Sequence, residues 1–167
     1  MIGATRRSFE AGHRPKFLVV VDDTPECSRA IRFAARRCAR TGASLIMLAV
    51  ADPPDNFEWL GVGDALRAEA EDEAGARLDA AAGLAQEASP GLEPERNVRI
   101  GDKDEAILAL IEEDQDISFL VLASGVGSSG PGPLVTSIAG RMSGTFPIPI
   151  VIVPGELADE AIDALAG

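Results

Sequence analysis

The stretch Lys16-Phe17-Leu18-Val19-Val20-Val21, followed at once by Asp22-Asp23-Thr24-Pro25, decides the fold. An unbroken apolar and β-branched run of this length reads as a strand buried on both faces. The polar step after it opens a helix: Thr24 is a capping residue type and Pro25 suits the first helical position. That helix is expected to run to about Arg40, with Gly42 as its stop. Its residues Arg29, Arg32, Arg36, Arg37 and Arg40 read as a solvated face.

Working outward, the same unit recurs. Ser44 to Val50 (SLIMLAV) is a second buried strand. Phe57 to about Ala88 is a long alanine-rich helix, with Leu66, Ala70, Ala74, Leu78, Ala81, Leu84 and Ala88 at helical spacing. Gly75 and Gly83 are its weak points, and residues 57–63, with Trp59, are expected to pack at its start. A third strand lies around Val98 to Ile100, and its polarity places it at a sheet edge. Asp102 with Glu105 three residues on predicts a capping box for the next helix, whose inner face is Ile107, Leu110 and Ile111. Ser118 to Ala123 (SFLVLA) is the fourth strand. The loop Ser124 to Pro133 holds no charge and is rich in Ser, Gly and Pro. A helix over Leu134 to about Thr145, with Val135, Ile138, Ala139 and Met142 inward, leads to the fifth strand at Ile150 to Val153. The order β-α-β-α-β-α-β-α-β predicts a parallel sheet with right-handed crossovers and helices on both faces.

The chain has 167 residues, a length that favours one domain. We divide it into an arm over residues 1–15, expected to be flexible, a domain over 16–154, and a tail over 155–167 able to form a short helix. The net charge of −12 argues against a general nucleic-acid binder and against adhesion to anionic membranes. No apolar run approaches the length of a membrane span, and the first fifteen residues lack the apolar core of a signal peptide. Cys27 and Cys38 sit on one helix face with Ile31 and Ala34, about 16 Å apart along its axis. They are expected to be core thiols and not a disulfide. His13, the one histidine, falls in the arm and is expected in solvent. No Cys/His or Ser/His pair and no metal-ligand spacing is present, so no catalytic set emerges.

Two features can carry a ligand. Parallel α/β sheets bind beyond the carboxyl ends of their strands, where the strand order reverses. Asp22 ends the first strand, where its carboxylate can accept from a ligand hydroxyl or amine or cap its own turn. The 124–133 loop offers backbone N–H groups beside a helix start, but it lacks the Gly-Lys-Ser/Thr of a P-loop, and DDTPEC after the first strand is no dinucleotide fingerprint. Asp22 and Asp23 could hold Mg²⁺ only together with phosphates.

Four segments, KFLVVVDDTPECSRAIRFAARRCARTGASLIMLAV, NVRIGDKDEAILALI, ISFLVLASG and LVTSIAGRMSGTFPIPIVIVP, make the chain resemble the universal stress protein family over roughly residues 16–154. The resemblance implies a flavodoxin-like, Rossmann-like three-layer sandwich with five parallel strands in the order 3-2-1-4-5. It also implies a homodimer paired through the last strand, a cytoplasmic role in stress adaptation and, in some members, a site for ATP or another adenine nucleotide with Mg²⁺. On this chain the implied site falls on Asp22, Asp23 and Thr24 after the first strand, Val50 at the end of the second, and Gly101 before the third helix. The family's phosphate motif is Gly, two residues, Gly, nine residues, then Gly-Ser or Gly-Thr. Gly127, Gly130 and Gly140 reproduce that spacing, but Gly140 is followed by Arg141 and lies too close to Pro149. In register, the motif falls on Ala123, Val126 and Thr136-Ser137: the serine is kept and the three glycines are replaced. Val126 resists positive φ and hinders close approach of backbone to phosphate. Gly125 and Gly127 restore pliability one residue away, while Pro131 and Pro133 stiffen the approach to the helix.

These residues fit a non-catalytic stress or signalling module that binds an adenine nucleotide in an altered site. The alternatives are an interaction protein with a vestigial crevice and a weak Mg-dependent nucleotide hydrolase.

Overall fold

The computed structural model describes residues 5–53 and 63–167. The buried run Lys16–Val20 forms β1, and Cys27–Thr41 forms α1. Next come β2 (Ser44–Ala51), α2 (Gly63–Ala88), β3 (Glu95–Ile100), α3 (Lys103–Glu113) and β4 (Ile117–Ser124). A π-helical turn at Val135–Arg141 precedes β5 (Ile150–Pro154) and α4 (Asp159–Ala166). All strand pairs are parallel and the sheet order is β3-β2-β1-β4-β5, the order expected. The reversal falls between β1 and β4, so the ends of β1, β2 and β4 border one edge.

Strand alternation divides the interior into two layers. Phe17, Val19 and Val21 face α1, α2 and α4 with Met47, Leu45 and Ala34. Leu18 and Val20 face α3 and the π-helical turn with Leu48, Ile107, Leu120 and Ile138. Phe17 stacks on Phe119 across the β1–β4 pair, ring centroids 4.8 Å apart. Both cysteines lie in the first layer. Cys27 Sγ donates to Val20 O and Cys38 Sγ to Ser44 O, and burial pushes both thiols up to about 12. They are structural groups.

The structure corrects several expectations. Helix α1 starts at Cys27, so Pro25 belongs to the preceding turn and Thr24 caps nothing; the cap position falls to Glu26, without a side-chain bond. Helix α2 runs through Gly75 and Gly83 without a break. Its buried face is Ala74, Leu78, Ala81, Ala82, Ala85 and Ala88, and Leu84 is exposed at 41%. The alanines win because they let α2 approach α1 and the sheet closely. Residues 57–62, with Trp59, lie outside the described residues. Strand β3 begins at Glu95, earlier than expected, and is the edge strand foreseen from its polarity. Asp102 caps α3 by accepting from Glu105 N at 2.9 Å, one half of the capping box.

Among the described residues, the segments near both termini are tied to the domain. Residues 5–15, expected as an arm, are held at the base of β4: Arg7 N donates to Gln115 O and Arg6 Nη1 to Asp114 O and Ile117 O. His13, expected in solvent, sits 2.8 Å from Asp116 Oδ1. At the other end, α4 is the short helix foreseen for the tail. It covers part of the arginine face of α1, which is therefore not simply solvated. Arg32 grips Asp163 through two bonds of 2.7 Å, Arg36 Nε lies 3.2 Å from the same carboxylate, and Arg37 donates to Ala166 O. Ile162 and Ala166 are fully buried beneath them.

Candidate functional site at the carboxyl edge

Asp22 lies two residues past the end of β1. Val21 N still donates to Leu48 O, which fixes where the chain leaves the sheet. Asp22 Oδ1 accepts from Thr24 N at 3.0 Å and from Thr24 Oγ1 at 2.6 Å. The carboxylate thus closes its own turn, and the Thr24 hydroxyl proton is committed to that closure.

The 124–133 loop folds back on itself over α1. Gly125 N donates to Pro131 O at 2.9 Å and Gly130 N to Gly127 O at 3.2 Å. Gly127, Gly130 and Gly132 take positive φ, whereas no described residue other than glycine does. Val126 therefore keeps ordinary backbone, as its branched side chain demands, and stands 55% exposed. Of the two glycines expected to compensate, Gly127 supplies the left-handed turn. Gly125 serves close approach instead: a Cβ there would meet Glu26 Oε1 at 3.0 Å and Gly130 O at 3.1 Å. Glu26 and the Pro131-Gly132-Pro133 segment close over Asp22 and Ala123, leaving a space of about 30 Å³. That is room for a water or two, not for a string of phosphates.

The open space lies on the other side of Asp22, in two adjoining clefts. One, of about 160 Å³, is lined by Asp22, Asp23, Val50, Asp52, Arg77 and Lys103 among others. The second, of about 540 Å³, is bounded by Asp52, Gly101, Lys103, Asp104, Ser137 and Arg141 among others. Asp52 and Lys103 line both. Gly101 has φ +133°, a backbone shape that favours glycine, and its N–H donates to Ala51 O at 3.0 Å. It thereby brings the end of β3 and the start of α3 up to the end of β2.

The expected helix over 134–145 is instead the short π-helical turn, closed by Met142 N donating to Ser137 O at 2.9 Å. Its buried face is Leu134, Ser137 and Ile138, while Ala139 and Met142 are only partly covered. Ser137 is 6% exposed and donates to Asp104 Oδ1 at 3.0 Å, with Leu134 O at 3.4 Å. Thr136 is exposed and donates to Gly132 O at 2.9 Å. The hydroxyl kept from the phosphate motif is thus turned toward a carboxylate.

The predicted residues therefore fall into four groups, with Thr24 beside Ala123 in the closed space. Asp22, Asp23 and Val50 share one cleft, Gly101 and Ser137 share the next, and Ala123 faces the closed space beside Asp22. Gly125, Val126, Gly127 and Thr136 shape the loop and the turn after it. Sequence reasoning missed Asp52, Arg77, Lys103, Asp104 and Arg141. The rule that ligands sit beyond strand ends could have found Asp52, which directly follows β2, and Lys103, which opens α3 three residues past the end of β3. Arg77 and Arg141 carry no such signal. Among the described residues no group of three or more His, Cys, Asp or Glu side chains is arranged to hold a metal ion, and no helix is long and apolar enough to cross a membrane.

A five-stranded parallel sheet of order 3-2-1-4-5, with clefts at the carboxyl edge beside its reversal, defines a flavodoxin-like α/β protein. Residues 13–154 match the Universal stress protein family, and the chain belongs to that family. Curated proteins gave no match to it. Among solved structures it is similar to universal stress protein UspA from Lactobacillus plantarum, at 18% identity and a TM-score of 0.67, covering 83% of this chain and 97% of that one. It is also similar to a universal stress protein in complex with cAMP, at 20% identity and a TM-score of 0.57, covering 85% and 98%. A universal stress protein from Archaeoglobus fulgidus in complex with dAMP matches at 17% identity and a TM-score of 0.57, covering 83% and 96%.

Proposed function

We propose that this chain is a stress-response module, without catalysis of its own, that binds an adenine nucleotide in an altered site at the carboxyl edge. The observation that carries the reading is the convergence of Asp22, Asp23 and Val50 on one cleft that opens into the larger cleft holding Gly101 and Ser137. The solved relatives in complex with cAMP and dAMP support an adenine ligand. The base and ribose belong beside Val50 and the two aspartates, where carboxylates can accept from ribose hydroxyls. The site is altered because the loop side is closed and Ser137 is engaged by Asp104. Thermal shift with ATP, ADP and AMP is the test. A ligand at 100 times its Kd should add about 2.7 kcal/mol of stability. No shift with any of them up to millimolar concentration would overturn the reading.

The narrow space beside Asp22 favours a second reading, an interaction protein whose crevice is vestigial. Recovery of the purified protein with stoichiometric bound nucleotide would exclude it. A weak Mg-dependent hydrolase comes last, and phosphate release surviving Asp22→Ala unchanged would remove Asp22 from such a mechanism. We further propose a cytoplasmic setting and a homodimer paired through β5. An edge strand with Ile152 exposed at 41% supports that pairing.

A further inference from the structure

If a nucleotide occupies these clefts, something other than the glycine loop must hold its phosphate. Within the loop, the Gly125 and Gly130 amides are already bonded. Ser137 donates to Asp104 and Thr136 to Gly132 O. What the larger cleft does present is cationic side chains. Lys103 opens α3 and lines both clefts; Arg141 ends the π-helical turn and lines the larger one. Neither makes an ion pair among the described residues. In a chain of net charge −12, carboxylates outnumber cations, and Arg32, Arg36 and Arg99 have each found one.

We infer that Lys103 and Arg141 hold the phosphate of a nucleoside monophosphate, doing with side chains what the replaced glycines no longer do with backbone. This rests on the nucleotide reading above. The ligand class follows from the local charge. Asp52, Asp102 and Asp104 line the same cleft, so two cations face three carboxylates. A single phosphate monoester, carrying about −1.5 to −2 charges, can be met by two charge-assisted contacts. A triphosphate adds charge for which the cleft has no further cation. The third cation of this edge, Arg77, lies in the smaller cleft with Asp22, Asp23 and Glu73. It stands at the base and ribose end, away from Ser137.

The test is isothermal titration calorimetry of the full chain with adenosine, AMP and Mg-free ATP, repeated for Lys103→Gln and Arg141→Gln. AMP affinity is expected to fall about tenfold or more in each variant, adenosine affinity to stay within twofold, and ATP to bind no more tightly than AMP. The AMP affinity should also weaken as salt is raised, with a shallower dependence in the variants. Unchanged AMP affinity in both variants, or ATP binding at least tenfold more tightly than AMP, overturns this inference while leaving the nucleotide reading standing. Absence of binding by all three ligands overturns both. Unaltered thermal unfolding of the variants without ligand separates loss of contact from loss of fold.

Discussion

At the scale of single residues, close approach decides more than polarity does. Gly155 follows β5 and donates its N–H to Ser124 O. A Cβ there would fall inside the contact shell of that same oxygen and 3.1 Å from Glu26 Cβ. Gly155→Ala should therefore destabilise the protein by about 1–3 kcal/mol. Gly83, mid-helix on α2 with nothing within 4 Å of a built Cβ, should behave oppositely, and Gly83→Ala should stabilise by about 0.5–1 kcal/mol. Urea denaturation of the two variants reads both signs at once. The thiols give a second prediction at this scale. With Cys27 and Cys38 pushed up to about 12 by burial, almost no thiolate exists at neutral pH, and thiolate is the nucleophile. A thiol-specific reagent should label neither cysteine in the native protein and both in denaturant. Their core role was legible from the 27, 31, 34, 38 stripe. Gly155 was not legible, because its reason is a carbonyl thirty-one residues away in sequence.

At the scale of elements, α1 shows how a charged face acquires a partner. Five arginines on one helix in an acidic protein read as a solvated surface. In the fold, Arg32, Arg36 and Arg37 receive the acidic C-terminal helix. The two-point bond from Arg32 holds Asp163 below the ordinary carboxylate value of 3.8. A carboxylate with a depressed folded value stabilises above its unfolded value, and the contribution is lost as pH falls through the folded value. Amide exchange protection in α4 should thus be full at neutral pH and decline below about pH 4. Asp163→Asn should lower that protection at neutral pH and flatten its pH dependence. An α4 whose protection is indifferent to both changes would show that Ile162 and Ala166 alone hold it. The strands and their order follow from apolar runs and alternation, and are legible without coordinates. The helix boundaries are less so. Thr24 and Pro25 have the residue types of a helix start, yet the Asp22 carboxylate captures Thr24 and delays the helix to Cys27. Leu84 fits the spacing of α2, yet small alanines pack closer, and the inner face rotates away from it.

At the scale of the whole molecule, the sheet reversal gathers the ends of β1, β2 and β4 at one edge, and the sequence resemblance pointed to Asp22, Val50 and Gly101 there but not to Asp52, Lys103 or Arg141. It could not show which side of Asp22 is open. That depends on Glu26 and the proline-stiffened end of the 124–133 loop closing over Asp22 and Ala123. Nor could it show that Ser137 would turn to Asp104, since that contact joins α3 to a π-helical turn no local pattern announces. Assembly belongs to this scale too. Pairing through β5 predicts a dimer by light scattering, and Ile152→Lys should convert it to a monomer with its thermal unfolding otherwise unchanged. A wild-type monomer at micromolar concentration would remove that interface. The central claim is that an adenine nucleotide sits in the open clefts between β1, β2 and α3, and not under the loop. A crystal structure of the protein soaked with AMP tests it most directly. The account predicts density for base and ribose beside Val50, Asp22 and Asp23, with the phosphate between Lys103 and Arg141. Density lodged between Asp22 and a displaced 124–133 loop, or empty clefts at saturating AMP, would contradict it.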